Sequence, residues 1–105
     1  MAVKYSLYLD PEVHASRTEL PGNVRQYIRS RIAELATVPR PPDSRELRLT
    51  TNIAPAGVEI RRLRISHWRV VYGIHDAEQW VWVLAIRRRP PYDYTDLAEL
   101  IKRLA

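Results

Sequence analysis

A chain of 105 residues with 46% hydrophobic content and a formal charge of +5 can build one modest core, and it is read here as a single domain spanning residues 1–105. The absence of cysteine excludes disulfides, thiolate metal sites, iron–sulfur clusters and cysteine nucleophiles. No stretch approaches the ~20 apolar residues of a membrane span and the N-terminus lacks a signal-peptide pattern, so the expectation is a cytoplasmic protein without a membrane partner.

In chain order, Val3, Tyr5, Leu7 and Leu9 alternate with Lys4, Ser6 and Tyr8, the period of a half-buried strand. Asp10-Pro11-Glu12 then reads as an N-cap with proline at the first helical position, opening a short helix to about Glu19. Pro21 starts a second helix, whose Leu20, Val24, Tyr27, Ile28, Ile32 and Leu35 recur at three- and four-residue steps. Pro39, Pro41 and Pro42 end it. From Ser44 the period changes to two, with strands expected at Glu46–Leu49, Val58–Ile65, Trp68–Ile74 and Gln79–Arg87. Pro55-Ala56-Gly57, Ser66-His67 and Asp76-Ala77-Glu78 are the turns between them, and the last three strands form an antiparallel meander. Thr95 is expected to cap a closing helix with Leu97, Leu100, Ile101 and Leu104 on one face. The fold class is therefore α+β: an N-terminal strand, two helices, a three- to four-stranded antiparallel sheet and a C-terminal helix. The helices are expected to cover one sheet face and leave the other partly open.

Fifteen of the 17 cations are Arg, the side chain that grips phosphate with a planar fork. Strand alternation sorts several of them by face. Arg62 and Arg64 project together, opposite Leu63 and Ile65, while Arg69 points away from Trp68, Val70, Tyr72 and Ile74. Arg87, Arg88 and Arg89 end the last strand, and Tyr92 and Tyr94 follow at the same edge. Cations beside phenols suit single-stranded RNA, since forks hold phosphates and rings stack on bases; the competing reading is a solvated face in which Arg61, Arg62 and Arg64 pair with carboxylates. His14, His67 and His75 are too dispersed for a metal site, and Gly22, Gly57 and Gly73 form no phosphate-cradling loop. Trp80 and Trp82 alternate with Val81 and Val83 and read as core or interface residues.

The run from Arg62 to Tyr72, followed by Val83-Leu-Ala-Ile-Arg-Arg-Arg89 and a tyrosine, resembles the RelE/ParE toxin superfamily of bacterial toxin–antitoxin systems. The Asp10-Pro11-Glu12-Val13 helix start, the Leu20-Pro21 junction and the Leu35 to Arg40 helix exit extend the resemblance along essentially the whole chain. In its RelE branch this implies a ribosome-dependent endoribonuclease, an mRNA interferase that cleaves by transesterification without metal or cofactor. The resemblance assigns Arg69 as a phosphate clamp, Arg89 as the arginine ending the last strand and Tyr94, with Tyr92 as rival, as the tyrosine after it. Arg62 falls on one position of the basic pair, whose other position is Ile60. Arg61, Arg64, Arg88 and Tyr92 are the RNA-binding candidates around them. The general base is left open, with Glu46 and Glu59 as carboxylates that could supply it and Arg88 where a histidine often stands. Implied partners are a cognate antitoxin, the ribosome and mRNA. The alternative implied by the ParE branch is a non-nuclease toxin that binds DNA gyrase, and a third is an inactive homologue that only binds antitoxin.

Overall fold

The computed structural model describes residues 4–48 and 53–104, so Val3 and Leu49, assigned above to strands, lie outside the described residues. In chain order the elements are β1 (Ser6–Leu9), α1 (Pro11–Thr18), α2 (Gly22–Glu34), β2 (Ser44–Glu46), β3 (Val58–Ile65), β4 (Trp68–His75), β5 (Trp80–Arg88) and α3 (Leu97–Lys102). They form a five-stranded sheet in the order β1-β5-β4-β3-β2. The last three strands make the expected antiparallel meander, and β2 extends it antiparallel to β3. β1 runs parallel to β5, with Leu7 opposite Val81 and Leu9 opposite Val83. The N-terminal strand is as expected, but its place in the sheet is not readable from the local pattern, because a parallel partner contributes no hairpin turn for the sequence to display.

Local chemistry accounts for most boundaries. The Asp10 carboxylate accepts from the Glu12 backbone N–H at 3.0 Å and Pro11 fills the first turn of α1, as the sequence indicates. Pro21 is the N-cap of α2 and offers no side-chain cap. Thr95 does not cap α3. Its N–H and hydroxyl both donate to Asp93 Oδ1, making a local turn, and Asp96 stands at the helix start. Gln79 belongs to the β4–β5 turn rather than to β5, with φ of 55°.

The sheet separates two cores. On one face α1 and α2 contribute Val13, Ile28 and Ile32 against Leu63, Val70, Tyr72, Ile74, Val81, Val83 and Ile86. On the other, Leu100 and Ile101 of α3 cover Ile60, Val71, Leu84 and Ala85. The second face is therefore only half open, a correction to the expectation that all helices share one side. Gly73 makes the closure possible, since a Cβ there would stand 3.3 Å from Leu104 and 3.2 Å from Val58. Tyr27, expected in the α2 core stripe, is 55% exposed, because Val24, Ile28 and Ile32 already fill the arc that meets the sheet.

Tyr72 is fully buried and its hydroxyl donates to the Pro39 carbonyl at 2.7 Å, fastening the α2 exit to the sheet. Tyr72→Phe leaves that carbonyl unpaired and is expected to cost about 1 kcal/mol, seen as a fall of roughly 4–8 °C in thermal melts followed by circular dichroism.

Candidate nucleic-acid interface

Cross-strand register brings the arginines together on the face that α3 half covers. Arg64, Arg69 and Arg87 lie abreast on β3, β4 and β5. The next row on that face holds Arg45, Arg62, Val71 and Ala85. Neighbours directly opposite in an antiparallel pair share a face at about 4.5–5.5 Å between Cα atoms, so like charges this close repel unless something neutralises them. Arg62 registers the crowding. Burial is the main cause pushing its pKa down; Tyr94 opposes this, and Arg69, Arg45 and Arg64 add to it. Arg45 was not singled out from the sequence, because the strand was expected to begin at Glu46.

Among the described residues, Arg45, Arg62, Arg64, Arg69 and Arg89 have no carboxylate within ion-pair distance. Their hydrogen bonds go to neutral acceptors. Arg62 donates to the Asp43 carbonyl at 3.3 Å, and Arg69 donates to the carbonyls of Ser66 and Trp68, each at 2.9 Å. Arg89 donates to the Tyr92 carbonyl at 3.0 Å, with its guanidinium 5.3 Å from the centre of the Tyr94 ring. The reading of Arg62 and Arg64 as cations paired with carboxylates therefore does not describe this face. Arg61 does behave that way. It faces the opposite side, bonded to Glu59 at 2.6 Å and to Ser44 Oγ at 2.9 Å.

The chain end of β5 divides its three arginines by role. Leu84 is an extra residue in the β4–β5 ladder: Val71 opposes Ala85 and Tyr72 opposes Val83. Beyond this bulge the alternation is reversed, which turns Arg87 toward α3 and Arg88 toward the α1–α2 face. Arg87 is a brace, 2.6 Å from Glu12 and 3.1 Å from Asp96. Arg88 lies over the Trp68 ring at 5.8 Å, away from Arg62, Arg64 and Arg69.

The two tyrosines also separate. The Tyr92 hydroxyl donates to Asp96 Oδ1 at 2.6 Å, and burial, followed by that bond, pushes its pKa well above the ordinary 10.0. A phenol so held is a poor proton donor or acceptor at neutral pH. Tyr94, 4.6 Å away ring to ring, keeps its hydroxyl clear of such a bond among the described residues and stands beside Arg89. Glu46 and Glu59 both lie on the face opposite the arginine rows, where cross-strand pairing aligns them with Arg61 and Ile74. Burial raises the Glu59 pKa, but Arg40 and Arg61 outweigh it and hold the carboxyl below its usual range. Neither is placed to accept a proton from a substrate on the arginine face. Among the described residues no group of His, Asp and Glu is disposed to hold a metal ion, and no helix is long and apolar enough to cross a membrane.

No protein-family model matches the sequence and no curated protein matches it. Solved structures do. The RelE of an archaeal RelE–RelB complex from Pyrococcus horikoshii superimposes with a TM-score of 0.73 at 18% identity, over 85% of this chain and 99% of that one. A free E. coli RelE toxin carrying two arginine-to-alanine changes matches at 0.65 and 23% identity over the full length of both chains. A chain of the RelBE2 toxin–antitoxin complex of Mycobacterium tuberculosis gives 0.64 at 20% identity, over 83% of this chain and 93% of that one. The fold is that of the RelE toxins, and the resemblance read from the sequence is borne out in the architecture.

Proposed function

We propose that the chain is the toxin of a type II toxin–antitoxin module and cleaves messenger RNA on the ribosome. The observation that carries this reading is the double row of arginines, of which Arg45, Arg62, Arg64 and Arg69 have no carboxylate partner among the described residues, edged by Arg89 and Tyr94, on the half-open face of a RelE fold. Unneutralised guanidinium groups held at strand spacing cost the protein stability, and a phosphodiester backbone is the ligand that compensates them.

On this reading Arg69 and Arg62 hold the non-bridging oxygens of the scissile phosphate, while Arg64 and Arg45 hold the adjoining phosphates. Arg89 adds charge at the rim. The ribose 2′-oxygen forms a bond to phosphorus as the bond to the 5′-oxygen breaks, leaving a 2′,3′-cyclic phosphate and a 5′-hydroxyl; the proton lost by the 2′-hydroxyl is balanced by one gained by the leaving oxygen. Arginine forks favour the step because negative charge on the phosphoryl oxygens is greatest at pentacoordinate phosphorus. Tyr94 is placed to stack on a neighbouring base. The partner that restrains the toxin is a cognate antitoxin, as in the RelE–RelB complexes to which the chain is similar.

A second reading, a non-nuclease toxin directed at DNA gyrase, is favoured by one observation: Glu46 and Glu59 lie on the wrong face to act as general base. Adding the purified protein to translating ribosomes and mapping message ends, alongside a gyrase supercoiling assay, separates the two. New 5′-hydroxyl ends within codons are expected, with supercoiling unaffected; intact messages with inhibited gyrase would reverse the assignment.

A further inference from the structure

Arg88 and Trp68 are cross-strand neighbours on the face opposite the arginine rows, and they border a groove of about 400 Å³. Its other walls are Asn23, Val24 and Tyr27 of α2, Ile65 at the end of β3 and the β3–β4 turn, Ser66-His67. The volume lies within the ~300–1,000 Å³ of small-molecule sites. Two features distinguish it from a packing defect. Tyr27 is 55% exposed although its sequence position belongs to an apolar stripe, and Trp68 is only half-buried, so two aromatic rings are left facing solvent at one place. Among the described residues the only charged wall residue is Arg88, and it has no carboxylate within ion-pair distance there. An aromatic groove whose single charge is a free guanidinium is complementary to a ring carrying an anion, which is the chemistry of a nucleotide.

The hairpin turn that lines the groove is also bonded to residues of the arginine face and its rim. Arg69 on that face donates to the Ser66 carbonyl, and the Arg89 backbone N–H donates to the His67 carbonyl at 2.7 Å. The two-residue turn thus stands at the edge shared by the phosphate clamp and the aromatic walls. We propose that this groove is a nucleobase site: a base of single-stranded RNA, a short step along the chain from the phosphate held by Arg69, enters against Tyr27 and Trp68 while Arg88 contacts its phosphate or stacks on its plane. The inference rests on the reading of the arginine face as an RNA interface. It gives that interface a means of selecting message sequence, since the groove accepts a base edge at Asn23 and His67.

The test measures fluorescence anisotropy of a labelled RNA decamer, without ribosomes, against the full chain. Tyr27→Ala and Trp68→Leu are each expected to weaken binding about tenfold, the usual scale for losing one base–aromatic stack. Arg88→Gln is expected to weaken it less and to flatten the salt dependence. Decamers with one abasic position, moved along the chain, should show one position at which the wild type binds about tenfold more weakly and Trp68→Leu loses nothing further. Because Trp68 touches the core, Tyr27→Ala, at an exposed ring, guards against a folding artefact. Wild-type affinity in Tyr27→Ala and Trp68→Leu, with weakened binding in Arg69→Ala, would overturn the nucleobase site and leave the arginine face standing. Loss of RNA binding in no variant, because the wild type binds none and cleaves no message, would overturn the arginine face itself and the groove with it.

Discussion

Replacing Arg69 by alanine is expected to slow message cleavage about a hundredfold per folded molecule while lowering the melting temperature by only a few degrees. Its guanidinium points away from the α1–α2 core and bonds an exposed and a half-buried carbonyl of the hairpin, so the folded state loses about 1 kcal/mol. Removing one pre-aimed donor from a developing anion typically costs about 3 kcal/mol of transition-state stabilisation, a factor of roughly a hundred. Arg69→Lys should recover part of the rate, because a point charge restores attraction without the two-pronged geometry. A bracing role through Glu59 is removed by the structure, since that carboxylate is engaged by Arg40 and Arg61. If Arg69→Ala melts earlier yet cleaves normally, its task is to hold the hairpin turn and the clamp lies elsewhere.

Arg87→Ala is expected to produce the opposite pattern, a loss of about 2 kcal/mol, or roughly 10 °C in melting temperature. This guanidinium joins Glu12 at the start of α1 to Asp96 at the start of α3 across the end of β5, and Arg103 adds ion pairs to Glu12 and Asp10. Truncation leaves two half-buried carboxylates facing each other without a cation between them. The same cluster sets an acid limit. Burial raises the Glu12 pKa, but bonds from Arg103 and Arg87 outweigh it and bring it below the ordinary 4.5. A carboxyl lowered on folding stabilises the protein fully above its unfolded value and progressively less as pH falls through the folded one. Stability is therefore expected to decline below about pH 4.5, and Glu12→Gln, less stable at neutral pH, should show a shallower decline. Urea melts between pH 3 and 7 read both slopes; parallel profiles for the two proteins would show that Glu12 is not the responsible carboxyl.

What the sequence disclosed depended on how local the determining interaction was. Hairpins carry their register in their turns, so the meander and the faces of Arg62, Arg64 and Arg69 were readable from alternation about Ser66-His67. The pairing of β1 with β5 joins segments more than seventy residues apart and left no local mark. The side taken by α3 was equally invisible, because an apolar stripe such as Leu97, Leu100, Ile101 and Leu104 states that a helix packs without stating on which face. Among the candidate site residues, Arg62, Arg64, Arg69, Arg89 and Tyr94 gather on one side, whereas Arg61 and Arg88 do not. Arg61 obeys the expected alternation, and parity alone was enough to separate it from Arg62. Arg88 was unreadable for a different reason, the extra residue at Leu84.

That bulge works as a phase shift in a two-beat pattern. Upstream of Leu84, odd-numbered positions of β5 look toward α1 and α2; downstream, even-numbered ones do. The consecutive arginines at its end therefore occupy different worlds, one locked in the ion-pair brace and the next stacked on Trp68. Within this strand, a gain of a single residue beyond Leu84 is a more drastic event than any substitution, because it exchanges those two environments in one stroke, whereas loss of Leu84 itself would only restore the regular ladder. On such a gain Arg88 would be swung to the brace and Arg87 to the groove, with Ala85 and Ile86 traded between the cores. The identity of both positions as arginine softens that exchange at the rim but not in the interior. Tolerance to insertion is thus expected to vanish between Leu84 and Arg87, while the surface loops on either side remain permissive.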